Sequence, residues 1–329
     1  MQDQLESWLA PAKITSVMSR ILICALLASA LLFPGRARAD ENTERAVSVR
    51  AANLYLSPDT NSQKLAVVDR GRELAVLEHS GTQWLHVLAS LGEDRDVSGW
   101  VLDKGMVRKT TPNGDQILFG EAADSEAEAS RRGGRKGADK DALRLYYRAA
   151  EYFPNSPLAG EAAYRSADIA WQLDVEDMRS RPSAKEKDPY MRHQMDEDQM
   201  RQVEKKYKGT KWADLAAFDL IDNKLCGDWQ GDPKCPEKES SIYEKYVADH
   251  PQSPKAAEAL YDAAWRQAAL IEMYREGENQ KKSEESRARA ISLAQRALQQ
   301  YSNSDFAYRA QRLLYLLQQG IATYGNVSE

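Results

Sequence analysis

Hydrophobic positions recur with two different periods along this chain, and the change between them divides it. From Val47 to Val107, short β-prone runs (AVSVRAANLYL, KLAVV, RELAVLEHS, QWLHVLAS and SGWVLDKGMV) are separated by SPDTNS, DRG, SGT and LGEDRDV. Five strands in about sixty residues, punctuated by Gly, Pro, Asn and Asp, predict a small, curled all-β domain over 46–108. Gly71 follows Asp69 and Arg70 at a turn that needs a backbone angle closed to other residues. Residues 109–139 hold little that forms a core. An acidic, Ala-rich section passes into RRGGRKG, a composition that predicts a flexible, solvated linker rather than a patch for anionic lipid or wall polymer.

Over 140–325 the period becomes helical and an internal repeat emerges. YYRAAEYFPNSP (Tyr146–Pro157) leads into LAGEAAYRSADIAW, and YEKYVADHPQSP (Tyr243–Pro254) leads into KAAEALYDAAW. Each reads as an aromatic helix, a Pro-x-Ser-Pro turn and an Ala-rich helix. Degenerate copies fit at KKYKGTKWADLAAFDLI and QQYSNSDFAYRAQRLL, so Ser156, Thr210, Ser253 and Ser304 lie 54, 43 and 51 residues apart and predict four helical hairpins. Pro154 and Pro251 stop the first helix, Ser156 and Ser253 accept free N–H groups of the second, and Pro157 and Pro254 need no N–H partner. Ala256, Ala257, Leu260, Ala263, Ala264, Ala268 and Ile271 form one stripe. Ala159, Ala162, Ala163, Ala167 and Ala170 form its counterpart, with Tyr164 and Trp171 beside it. No hairpin covers such a stripe alone, so stacking is expected.

The first 39 residues read as processing information. An apolar run over Ile21–Phe33 follows Lys13 and Arg20 and ends in Ala37-Arg38-Ala39, the small-x-small pattern of a cleavable signal peptide. About thirteen apolar residues are too few to remain as a membrane span, so no stable transmembrane insertion is expected after cleavage. The expected location is the periplasm or extracellular space. The charge balance, 50 acidic residues against 45 Lys and Arg, lacks a continuous basic module and argues against nucleic acid as a partner. Cys226 and Cys235, in LCGDWQGDPKCPEK, are the candidate disulfide of an oxidising compartment. Closing a loop of about ten residues stabilises by roughly 2.7 kcal/mol in the chain-entropy model. His79, His86, His193 and His250 are scattered, so neither a metal nor any other cofactor is assigned.

Asn53-Leu54-Tyr55-x-x-Pro58, Gly71, Trp84-x-x-Val87 and Gly99-Trp100-Val101, in that order, resemble the motif series of bacterial Src-homology-3-like (SH3b) domains. Tyr55 stands where the family usually has Arg. The helical part resembles tetratricopeptide repeats, especially the Tyr-Pro-x-Ser-x-x-Ala-x-x-Ala variety of periplasmic envelope proteins such as the outer-membrane assembly lipoprotein BamD. The interval here exceeds the 34 residues of that repeat, which implies longer or inserted helices. The fold class expected from both is a small all-β SH3-like barrel followed by an all-α tetratricopeptide-like array of helical hairpins.

These resemblances imply binding rather than catalysis: a scaffold or adaptor for an envelope protein or peptide segment, with peptidoglycan as a second class of ligand for the SH3-like domain. Trp84 and Trp100 carry two readings, as indoles filling the barrel core or as part of an exposed platform with Tyr55. Tyr164, Tyr261 and Trp265 are candidate contacts on the helices, with packing as the competing role. Two alternatives remain, a cell-wall-associated enzyme or hydrolase accessory and a purely structural envelope component. The acidic pairs Asp196 with Glu197 and Asp198 with Glu204 are read as charged helix surface, and no catalytic residue is assigned.

Overall fold

The alternating runs form β1 (Arg45–Ser48), β2 (Ala52–Tyr55), β3 (Lys64–Val68), β4 (Glu73–Ser80), β5 (Trp84–Ser90), β6 (Asp96–Leu102) and β7 (Met106–Val107) in a computed structural model that describes residues 43–92 and 95–325. The expected signal peptide, 1–39, lies outside the described residues. All ladders are antiparallel, in the order β3-β2-β6-β5-β4-β1-β7. One side of each strand feeds a shared core of Ala46, Leu54, Val68, Leu74, Val76, Leu85, Val87, Ala89, Val101 and Met106. Gly99 lets β2 cross close over β6, because a Cβ there would stand 2.9 Å from the Tyr55 carbonyl oxygen.

The expected barrel is not formed. The sheet is open, with β3 and β7 as its two edges and no ladder between them among the described residues. Closure is replaced by cover. β7 is only two residues long, the chain then turns into a helix, and that helix shields the β1–β7 edge.

This helix, α1 (Gly114–Ala129), lies inside the stretch expected to be a flexible linker and corrects that expectation. Leu118, Ala122 and Ser125 follow helical spacing and are fully buried, Leu118 and Ala122 in one cluster with Val47, Val107 and Tyr146. The Ala- and Glu-rich composition that suggested a tether is also strongly helix-forming.

The remaining helices are α2 (Ala138–Tyr152), α3 (Ala159–Ser180), α4 (Asp198–Lys206), α5 (Lys211–Asp219), α6 (Lys234–Asp249), α7 (Ala256–Glu276), α8 (Gln280–Gln300) and α9 (Asp305–Gln319). Pairs α2–α3, α4–α5, α6–α7 and α8–α9 are hairpins turning at the predicted repeat positions. Ser156, Ser253 and Ser304 Oγ accept from the backbone N–H two residues on, at 3.1, 3.1 and 3.2 Å. Thr210 departs from the pattern: its Oγ1 donates to the Tyr207 carbonyl instead. Every member of the α7 stripe is buried. The interior is a series of adjoining clusters, with Ala163 shared between the α1–α3 group and the α3–α5 group, as stacked hairpins require.

The sheet domain is docked onto the first hairpin. Arg144 Nε donates to the Arg70 carbonyl at 2.8 Å, and the Tyr152 hydroxyl donates to Glu73 Oε1 at 2.9 Å. Arg50 pairs with Glu121. These contacts and the covered edge use β1, β7, the β1–β2 bend and the turn into β4, leaving the far side of β2, β5 and β6 to solvent.

Candidate functional site

Period-two alternation sends Leu85, Val87 and Ala89 of β5 into the sheet core and Trp84, His86 and Leu88 to the opposite face. Register places Trp100 of β6 beside both His86 and Tyr55. His86 stacks on Trp100 at 4.9 Å between centroids and its Nε2 meets Ser98 Oγ at 3.1 Å. Tyr55 meets Trp84 edge-on at 5.8 Å. The structure therefore brings Tyr55, Trp84 and Trp100 together on the outer face and adds His86. Both indoles are half-buried and neither belongs to the core cluster, so the core-filling reading of Trp84 and Trp100 does not hold. Tyr55 is 7% exposed and acts as the base of the group. Leu77, Leu56 and Leu102 are exposed nearby in sequence and extend the apolar character of these strands.

On the helices, Tyr164 of α3 stacks on Trp212 of α5 at 5.8 Å and its hydroxyl donates to Asp219 Oδ2 at 3.0 Å. Burial, and then the charge of Asp168, push the Asp219 carboxyl up to about 7. Burial also raises Asp168, and takes Asp262 up to about 6 against the attraction of Arg266. Tyr261 packs against Phe306 at 5.9 Å and borders the α5–α9 core, a packing role.

Trp265 of α7 belongs to a different group. Its ring lies 5.2 Å from Trp229, which sits in the loop closed by the Cys226–Cys235 disulfide. Tyr324, from the segment after α9, packs on Trp229 at 5.6 Å. With Arg266, Glu239 and the loop backbone these rings line an open cleft of about 340 Å³. Glu239 is almost fully buried and takes three donors: Cys226 N at 2.9 Å, Trp229 Nε1 at 3.1 Å and Arg266 Nε at 2.8 Å. Arg266 also lies over Tyr243, 4.4 Å from the ring centroid. Sequence reasoning missed Trp229, Tyr324, Glu239 and Arg266. The available signal was an aromatic residue inside a cysteine-bounded loop.

Asp196 and Asp198 are exposed, with Asp196 Oδ1 accepting from Asp198 N in a turn, and Glu197 pairs with Arg201. Among the described residues no group of three or more His, Cys, Asp or Glu side chains could hold a metal ion, and no helix is long and apolar enough to cross a membrane.

Among the described residues the chain is an open antiparallel sheet docked on tandem helical hairpins. Residues 50–107 match the family model described as Bacterial SH3 domain, so the sheet domain is SH3-like, and the helices that follow it over 114–319 form a tandem all-helical repeat region. No curated protein matches the chain significantly. Similar solved structures include the DHF119 filament (15% identity, 62% of this chain and 92% of that one, TM-score 0.23) and the DHF79 filament (15%, 60% and 95%, 0.24). A third is the de novo designed helical repeat protein DHR64 (16%, 62% and 92%, 0.21). At such scores the alignments say nothing about how the hairpins are arranged here.

Proposed function

We propose that the chain is a periplasmic scaffold: the SH3-like domain grips an extended peptide segment or peptidoglycan through its outer aromatic face, and tetratricopeptide-like hairpins hold a second envelope protein. The cleavage pattern ending at Ala39 and the paired cysteines support an exported, oxidising location. On this reading the functional divisions are a signal peptide at 1–39, a sheet domain at 46–108 and a hairpin array at 140–325, with α1 as the rigid joint.

The observation that carries the reading is the outer-face group of Tyr55, Trp84, His86 and Trp100. Trp84, His86 and Trp100 are half-exposed rings seated on buried Tyr55, and rings held by neighbours bind with little loss of side-chain freedom. The sheet meets its own helices elsewhere, which disfavours a purely structural role for this face. The test is capture of envelope proteins by in-cell crosslinking, and co-sedimentation with purified peptidoglycan, for the chain from Asp40 onward and its Trp84→Ala, Trp100→Ala double variant. Capture or sedimentation that drops at least tenfold in the double variant is expected. Neither signal in the parent, or the same signal in both, overturns the reading.

A further inference from the structure

The cleft beside the disulfide has features that packing alone does not require. Trp229 is held by a covalent loop closure, by its indole N–H on buried Glu239 and by the ring of Trp265, so its face is fixed before anything binds. Its supports are themselves buried, Glu239 at 1% and Arg266 at 8% exposure. The residue resting on this face, Tyr324, comes from the irregular segment Ile321–Gly325 and not from a helix.

That segment fits its place imperfectly. The Thr323 hydroxyl is buried with no protein partner among the described residues. Asp228 lines the cleft beside Tyr324 and Glu276 Oε1 lies 4.0 Å from where a Cβ on Gly325 would stand, yet Ile321-Ala322-Thr323-Tyr324-Gly325 has no cation to answer them. Arg266, the cation in the cleft lining, is already paired with Glu239, so the aromatic residue is accepted beside two carboxylates that a neighbouring base would answer.

We propose that this cleft is a docking site for a partner peptide carrying an aromatic side chain next to Lys or Arg, and that Tyr324 fills it in cis as a displaceable stand-in. The inference rests on the scaffold reading above and names one site within it. A basic aromatic peptide places its ring on Trp229 and its cation toward Asp228 and Glu276, gaining an attraction that the resident segment lacks.

Fluorescence anisotropy with two labelled octapeptides tests it: Gln-Gln-Gly-Ile-Ala-Thr-Tyr-Gly, which copies residues 318–325, and the same peptide with Lys in place of its Thr. The proteins are the chain from Asp40 onward, its Tyr324→Ala variant, and that variant with Trp229→Ala or Trp265→Ala, each checked for helix content by circular dichroism. Tyr324→Ala is expected to bind at least tenfold more tightly than the parent, to prefer the Lys peptide several-fold, and to lose binding with either added Trp substitution that retains its helices. Equal binding by parent and Tyr324→Ala, no binding by either, or binding indifferent to both Trp substitutions overturns the proposal. So does a parent dimer, seen by light scattering, that Tyr324→Ala dissolves, because the occupant is then a second copy. Peptide binding without capture of any envelope component sinks the scaffold reading and leaves the cleft standing. Capture without peptide binding by Tyr324→Ala sinks the cleft alone.

Discussion

A Cβ on Gly71 would stand 2.7 Å from Arg144 Cβ and 2.9 Å from the Leu145 backbone nitrogen, so the turn between β3 and β4 and the flank of α2 touch main chain to main chain. Gly71 also sits at φ +74°, where any other residue is strained. Gly71→Ala therefore incurs both a conformational cost and a steric one, about 2–4 kcal/mol together. Gly81 separates the two effects. Its φ is +62° but nothing lies within 4 Å of its would-be Cβ, so Gly81→Ala should cost only about 1 kcal/mol. Thermal denaturation of both variants checks the ranking, and a Gly81→Ala loss as large as that of Gly71→Ala would show that the docking contact is slack.

The Asp219 carboxyl offers a pH test with a definite sign. Its folded value of about 7 lies above the ordinary 3.8, so the folded state binds a proton that the unfolded chain has released between those limits. This group therefore opposes folding fully above pH 7, and its penalty fades as pH falls toward 4. Asp219→Asn removes the charge and keeps an acceptor for the Tyr164 hydroxyl. The variant should be more stable than the parent by roughly 1–3 kcal/mol at pH 8 and nearly equal to it at pH 4. Urea denaturation at the two pH values measures the difference, and a gain confined to pH 4 would reverse the assignment.

The hairpin turns were legible because each residue has one local job: Pro ends a helix, Ser accepts from the backbone N–H that leads into the next, and the second Pro lies in the turn just ahead of that helix, where no N–H is needed. The α7 stripe was legible for the same local reason. What escaped was decided by contacts remote in sequence. Helix α1 reads as a tether until Leu118 and Ala122 meet Val47 and Tyr146, and nothing local to β7 announces that a helix rather than a strand covers its edge. The side taken by Trp84 was recoverable in part, since alternation in Trp84-Leu85-His86-Val87 sets it opposite the two aliphatic residues. The cleft was not recoverable: Trp229, Trp265 and Tyr324 come from three segments that only the tertiary fold assembles.

Glu239 and Arg266 form a buried ion pair at 2.8 Å, and the cost of breaking it depends on which hydrogen bonds survive. Glu239→Ala leaves the guanidinium with only the more distant Asp262 carboxylate, at 3.7 Å, and leaves Cys226 N and Trp229 Nε1 without their acceptor, so about 3–5 kcal/mol should be lost. Glu239→Gln retains the shape and one acceptor oxygen and should lose clearly less. Chemical denaturation with a constant m-value reads both, and equal losses would mean that charge rather than acceptor geometry sets the cost.

The disulfide should act locally. Its half-cystines are nine positions apart, a short loop whose closure contributes roughly 2.7 kcal/mol by chain entropy. Within that loop Trp229 is tied to Glu239, while the sheet core and the α1–α3 cluster share no residue with it. Replacing Cys226 and Cys235 by Ser should therefore speed amide exchange around 226–235 and at Trp229, red-shift the emission of that indole, and leave exchange in β1–β7 as it was. Lost protection spread evenly across the sheet and all four hairpins would instead make the bridge a support for the whole fold, and Trp229 would then have no private anchor for a ligand to exploit.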